Sequence, residues 1–394
     1  MTDPLGQSQV LPYLIGLYAT EGYQFHLISC EKPERYVQQK DHIAQLCAAH
    51  HIIWHPLPYT KRPPIASTLY DLYRIGHLAH RLHQNEQFDA VHCRSYLPAL
   101  IGKRLKQRYG VKFVFDMRGF WADERVDGNL WQQSNPLYRA IYRYFKRQER
   151  AFLTQADAVV SLTHAAVREM ATWNLPPLPM HVIPCCTDTN LFDPNTIDPS
   201  TRLQLRLQCG ISPQTIVLGY VGSIGTWYML DEMLDFFKVW VQYRPDSKFL
   251  FVTNEGDLVR QKAIQKNISL EQFVIVSALR HEVPAYLSLF DYSVFFIRPT
   301  YSKISSSPVK HAEIMAMGIP VVANSGIGDT DQLVQPDTGV LLPLLTTAEY
   351  ERAAAQLLNS QFDRQHIRAQ ALCHFDLQNG IRLYACLYRA ILQP

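Results

Sequence analysis

The sequence predicts an α/β protein made of two successive parallel-sheet units. Three observations carry that prediction. Short apolar, β-branched runs alternate with stretches of helical period, as they do when strands are joined by helical crossovers. The alternation runs twice, and the stretch 183–199 between the two series is aperiodic and rich in Pro, Asp, Thr and Asn. Finally, 394 residues at ~150 per domain allow two or three domains, and a hydrophobic content of 47% fills sizeable cores.

In the first series, strands are expected at 25–30, 52–57, 90–93, 111–115, 158–162 and 181–183. Helices are expected over about 8–20, 68–83, 97–107, 137–154 and 165–172, with Gly22 placed to end the first. In the second series, strands are expected at 216–221, 248–252, 273–276, 292–297, 321–323 and 340–342. Helices fall at about 230–243, 257–266, 284–290, 309–316 and 347–359, and 382–392 also reads as helical. The implied organisation is a first domain over 1–183, a linker over 184–199, a second domain over 200–375 and a terminal segment over 376–394. A doubly wound domain opens with a strand that delivers the chain into its first loop. Here the Gly-containing stretch Asp3 to Ser8 begins almost at Met1. The first strand of the N-terminal domain is therefore expected to be missing, its place lying upstream of Met1; a domain built without it is the alternative.

A net charge of +3, from 38 basic and 35 acidic residues, is too balanced for a dedicated nucleic-acid binder. The eight cysteines form no C-x-x-C pair, which argues against zinc and for reduced, buried thiols. No metal and no cofactor is expected. No apolar run approaches the ~18–20 residues that cross a bilayer, and Met-Thr-Asp-Pro begins no signal peptide. The expected location is cytoplasmic, with any membrane contact peripheral.

The most informative segment is 305–322, SSSPVKHAEIMAMGIPVV. Ser307 suits a helix N-cap, Pro308 the first turn, Gly318 the helix end, and Ile-Pro-Val-Val starts a strand. A helix start offers free N–H groups and a positive dipole end to a phosphate. Lys310 in the first turn adds a charge. Glu313, one turn on, can accept hydrogen bonds from vicinal hydroxyls such as those of a ribose.

This segment resembles the nucleotide-binding element of retaining GT-B glycosyltransferases of family 4, in which two glutamates flank seven residues. The second glutamate falls on Glu313 and the first on Ser305, a departure that fits a subgroup with a Ser-Pro-x-Lys start. The resemblance extends along the chain. Val182-Ile183-Pro184 and Thr187 to Phe192 are similar to the interdomain linker, with Cys185-Cys186 in place of Asn-Gly. Gly219 to Gly225 is similar to the strand and glycine loop that open the donor domain. The family's Arg and Lys after that loop are missing from Thr226-Trp227-Tyr228, so Lys303 or Lys310 is expected to supply the charge. Ala278 to Pro284 matches the turn that cradles the base.

The resemblance implies two Rossmann-like domains facing a cleft, with the C-terminal helix crossing back to the first. The donor would be held by Gly222, Ser223, Arg280, Ser306, Ser307, Lys310 and Glu313. Gly326 and Asp329, with Gly6, Gln7 and Ser8 in the first loop, would face the transferred sugar. The loop after the strand at 111–115, Phe115-Asp116-Met117-Arg118 to Arg125, gathers carboxylates, guanidinium groups and aromatics at the carboxyl end of a parallel strand, where open sheets bind ligands. Asp116, Arg118 and Glu124 are its catalytic candidates, with an internal salt-bridge cluster as the alternative. His92 reads as a packed strand residue. The helix 137–154, with Tyr138, Arg139, Tyr142, Arg143, Lys146, Arg147 and Arg150, could rest on anionic lipid or be a solvated face.

The expected reaction is transfer of a sugar from a UDP- or GDP-type donor to a saccharide or lipid-linked acceptor. Retention and a role in surface polysaccharide or glycolipid assembly are implied by the family. A sugar-nucleotide epimerase and a catalytically inactive binding or scaffold subunit are the alternatives.

Overall fold

The computed structural model describes residues 1–393. The chain forms two compact units, one of residues up to Cys186 together with the C-terminal helix from Leu377, the other of Thr187–Asp376.

The first unit runs α1 (Pro4–Gln9), α2 (Leu11–Glu21), β1 (Phe25–Glu31), α3 (Pro33–Ala49), β2 (Ile52–Pro58), α4 (Ala66–Glu86), β3 (Ala90–Arg94), α5 (Tyr96–Tyr109), β4 (Lys112–Asp116), α6 (Trp121–Asp127), α7 (Pro136–Gln155), β5 (Ala158–Ser161), α8 (His164–Ala171) and β6 (Met180–Val182). Its strands are parallel and form two sheets, β1-β2 and β3-β4-β5-β6. In the doubly wound order 3-2-1-4-5-6, a strand that enters first lies between two such groups. Among the described residues none occupies that place.

The second unit runs α9 (Pro199–Gln208), β7 (Val217–Val221), α10 (Leu230–Tyr243), β8 (Lys248–Val252), α11 (Gly256–Gln265), β9 (Phe273–Val276), α12 (Val283–Leu287), β10 (Tyr292–Phe295), α13 (Val309–Ala316), β11 (Val321–Asn324), α14 (Thr330–Leu333), β12 (Gly339–Leu342), α15 (Thr347–Asn359) and α16 (Arg364–Phe375). Its six parallel strands are ordered β12-β11-β10-β7-β8-β9, the complete doubly wound arrangement. β7 (VLGYV) is buried at every residue because helices cover both sheet faces, and such strands read as continuous apolar runs.

The last helix, α17 (Leu377–Leu392), packs on α2 of the first unit. Leu377, Ile381, Tyr384, Tyr388 and Ile391 recur at helical spacing and share a core with Tyr13, Leu17, Val114 and Ile183. The two helices meet closely at Gly16, where an added Cβ would lie 2.3 Å from Ile381 Cδ1.

Several expectations are corrected. Residues 4–9 are helical, so Gly6, Gln7 and Ser8 lie in α1 and not in a loop. Pro4 starts that helix, and the Gly6 N–H donates to the Asp3 carbonyl at 2.9 Å. α3 had no strong period to betray it, since Ile43 and Cys47 are its only buried residues. α16 was also missed. α17 begins five residues before the expected 382, Leu377 and Gly380 being buried in its first turn. Pro308, not Ser307, holds the N-cap position of α13. Part of the stretch read as linker is fastened to the second unit: the Thr187 N–H donates to the Phe375 carbonyl at 2.8 Å, and Arg368 donates to the carbonyls of Phe192 (2.7 Å) and Thr189 (3.1 Å).

Candidate donor site and buried acid cluster

In the second unit, β7 delivers the chain into the glycine loop 222–225, and α13 starts beside it. Lys310, in the first turn of α13, extends its buried ammonium to the Tyr220 hydroxyl at 2.6 Å. Its Nζ also lies 3.8 Å from the Tyr220 ring centroid and 3.4 Å from that of Tyr228. A Cβ on Gly222 would be 3.5 Å from Lys310 Nζ, and Gly222 has φ +98°. Only a residue without a side chain leaves that approach open in that conformation. Burial pushes Lys310 well below its usual pKa, while the nearby carboxylates of Glu313 and Glu255 pull it back. Ser223 is exposed and its carbonyl accepts from Tyr220 Oη at 2.7 Å.

Glu313, one turn along α13, is 6% exposed and accepts from Arg280 Nη1 at 2.7 Å. Arg280 lies over the Phe192 ring, 5.2 Å from its centroid. Burial raises the Glu313 carboxyl above its usual range, against the pull of Arg280 and Lys310. Arg280, Glu313, Lys310 and Gly222 therefore form one chain of neighbours. Ser306 and Ser307 are partly exposed in the turn before α13. Ser305, at the place of the missing glutamate, is buried and donates its hydroxyl to the Ser302 carbonyl at 2.7 Å.

The aromatic stretch after the glycine loop collects cations from elsewhere. Lys303 Nζ lies 3.7 Å from the Trp227 ring centroid. Arg298 lies 5.8 Å from the same ring and donates to the Thr226 carbonyl at 3.3 Å. The Lys303 carbonyl accepts from the Gly328 N–H at 2.9 Å, which ties the loop of Gly326 and Asp329 to this group. The Gly326 N–H is held by Asp331 at 3.0 Å, and Asp329 takes the N-cap position of α14.

In the first unit, Asp116 ends β4 in register with Arg94 on β3. It is 1% exposed and lies in an internal charge cluster, the alternative reading of this loop. Its Oδ2 lies 3.5 Å from His92 Nε2, 3.4 Å from Arg94 Nη1 and 3.3 Å from Tyr384 Oη; its Oδ1 lies 3.9 Å from Arg118 Nη1 and has no hydrogen-bond partner. Burial alone would raise this carboxyl, but Arg118, the His92 hydrogen bond and Arg94 together hold it at about 2. Sequence reading could not foresee the enclosure because Tyr384 comes from α17. Arg118 adopts φ +57° and donates to Cys185 Sγ at 3.1 Å. His92 Nδ1 lies 2.6 Å from Tyr388 Oη.

Glu124 lies on α6, but the acid that α6 buries is Asp123, which accepts from Tyr142 Oη at 2.8 Å and Lys146 Nζ at 2.9 Å. Tyr142 and Lys146 thus turn inward, and the outer face of α7 is left with Leu137, Arg139, Arg143, Tyr144, Arg147 and Arg150.

Two family models match this chain: a glycosyl transferase 4-like domain over residues 6–186 and a glycosyl transferases group 1 domain over residues 214–360, together well over half of the chain. The chain belongs to the GT-B glycosyltransferases. Solved structures agree on the fold. A glycosyltransferase from Rickettsia africae superposes with a TM-score of 0.73 at 14% identity, covering 99% of this chain and 97% of its own. The Anabaena protein HepE, in complex with UDP and glucose, superposes at 0.70 with 14% identity, covering 97% and 96%. Sucrose-phosphate synthase from Thermosynechococcus elongatus superposes at 0.68 with 16% identity, covering 94% and 99%. No match was found among curated protein sequences.

In this glycosyltransferase, sequence reading missed Tyr220, Tyr228, Glu255 and Arg298 as neighbours of the glycine loop. Tyr220 sits inside the apolar run of β7, where its hydroxyl gives no signal. Arg298 and Glu255 follow other strands, and only the parallel sheet brings the carboxyl ends of β7, β8 and β10 together.

Proposed function

We propose that this glycosyltransferase takes a sugar from a nucleoside-diphosphate sugar of the UDP or GDP type and moves it to an acceptor hydroxyl with retention of configuration. The observation that carries the reading is Lys310, whose ammonium lies against Gly222 at the first turn of α13. Charge building on the leaving diphosphate is met there by the lysine and the start of α13, groups fixed before the reaction and needing no reorganisation. Glu313, oriented by Arg280, takes the ribose hydroxyls, and the turn around Arg280 takes the base. Ser306 and Ser307 line the approach to α13, and the loop of Gly326 and Asp329, tied to the Lys303 carbonyl through the Gly328 N–H, takes the sugar side. Retention rests on the family resemblance, as does a place in surface polysaccharide or glycolipid assembly at the inner face of a membrane.

The acceptor is a saccharide or a lipid-linked saccharide. For a lipid-linked acceptor, the outer face of α7 offers a docking surface, since Arg139, Arg143, Arg147 and Arg150 pair with no carboxylate among the described residues. Among the described residues no helix is long and apolar enough to cross a membrane.

A thermal-shift panel of UDP- and GDP-sugars tests the donor. A bound donor raises Tm with concentration, and a panel without any shift refutes the reading and favours an inactive subunit. Product analysis with and without acceptor then separates transfer from epimerisation.

A further inference from the structure

Glu255 takes the N-cap position of α11, yet its side chain makes no bond to its own helix. It reaches across to the glycine loop instead. Its Oε2 accepts the Ile224 N–H at 2.5 Å and its Oε1 accepts the Gly225 N–H at 3.3 Å. Its own N–H donates to Thr253 Oγ1 at 3.2 Å, which fixes the turn it reaches from. The loop it grips contains two left-handed glycines, Gly222 (φ +98°) and Gly225 (φ +53°), and no cationic side chain. A loop of that kind has many conformations open to it. A carboxylate bridging two successive amides selects one, with bonds stronger than those to a neutral acceptor.

We propose that Glu255 is a positioning residue for the donor: its grip on the amides of Ile224 and Gly225 sets the turn that seats Gly222 against the Lys310 ammonium. This rests on the donor site proposed above. Glu255 also acts through charge. The polar groups that face Lys310 are Tyr220 on β7, Tyr228 in the loop, Glu255 ahead of α11 and Glu313 on α13, the last neutralised in part by Arg280. Glu255 and Glu313 are therefore the two groups that favour a protonated Lys310 in a site whose burial disfavours it.

The test measures UDP and GDP affinity by calorimetry between pH 6 and 10 for the wild type, Glu255→Ala and Glu255→Gln. Glu255→Ala loses both amide bonds, and the Kd of the bound nucleotide rises about tenfold or more. Glu255→Gln keeps one amide acceptor and loses the charge. Its affinity at neutral pH lies between the other two, and the alkaline limb of its pH profile moves to lower pH because Lys310 loses its proton sooner. A residue that merely braced the loop would leave that limb in place. A wild type that binds neither nucleotide overturns the donor reading itself. A wild type that binds, with Glu255→Ala binding within twofold of it, overturns only the role of Glu255. If Glu255→Ala does not fold, Glu255→Gln decides alone, and a neutral-pH affinity equal to that of the wild type together with a superimposed alkaline limb refutes the proposal.

Discussion

Replacing Lys310 with Met separates what this residue does for donor binding from what it does for folding. In the fold the ammonium is buried, bonded to Tyr220 Oη at 2.6 Å and set over the rings of Tyr220 and Tyr228. Met keeps the unbranched stem and most of its volume. Taking the ammonium out of the interior recovers its desolvation cost, of order several kcal/mol, and gives up its attraction to Glu313 and Glu255. Losing desolvated cation–π contacts costs about 2 kcal/mol or more. The Tyr220 hydroxyl keeps a partner, since it donates to the Ser223 carbonyl at 2.7 Å. The two sides cancel to within about 2 kcal/mol, so the variant should fold with a Tm close to that of the wild type.

Donor binding has no such compensation. A charged hydrogen bond to the diphosphate is worth about 2–3 kcal/mol, so Kd should rise about 30- to 150-fold. The linkage has a definite sign. Lys310 has a folded pKa below its unfolded value, so the unfolded chain binds more protons in that window. Wild-type stability therefore gains a contribution as pH rises through the folded pKa toward about 10.4, and the variant should lack that gain. Calorimetric titration with the donor, paired with urea unfolding at pH 7 and 9, reads both effects. An unchanged Kd would remove Lys310 from the site. A Tm loss as large as that of a core truncation would make it a structural lysine.

Other outcomes follow from the same geometry. Glu313→Gln keeps the shape of the side chain but breaks the charged pair with Arg280 (2.7 Å), and donor Kd should rise about tenfold; turnover equal to that of the wild type at low donor would refute the ribose role. Asp116→Asn takes the charge from a buried acid between Arg94 and Arg118 and should cost about 3 kcal/mol in chemical unfolding, a loss under 1 kcal/mol contradicting it. Because the folded pKa of Asp116 is about 2, below the unfolded ~3.9, its contribution is complete above about pH 4 and is lost as pH falls toward 2. His311 is held by burial at about 4 from 6.5, so wild-type stability should fall by up to about 3 kcal/mol as pH drops across that window. His311→Leu should lack that fall, and parallel unfolding curves at pH 7 and 5 decide it. Arg143→Glu with Arg147→Glu should abolish sedimentation with anionic vesicles and leave Tm unchanged; unaltered sedimentation would clear α7 of lipid contact.

The alternation of β7 to β12 with helices was plain in the sequence because strands covered on both faces must be apolar throughout and the helices between them carry one apolar stripe. The segment 305–322 was legible for a similar reason: Pro308, Gly318 and the strand start are local signals for the ends of α13, and Lys310 and Glu313 are placed by the helical turn alone. Where α3 buries only two residues and where Pro4 turns a loop-like stretch into α1, local pattern was too weak to decide. Tertiary structure alone determined the partners. Arg280 meets Glu313, Glu255 crosses to the glycine loop, and Tyr384 closes over Asp116 across 268 positions of chain. Hydrophobic period records which way a residue faces, but which charge it meets depends on how strands far apart in the chain come to lie side by side.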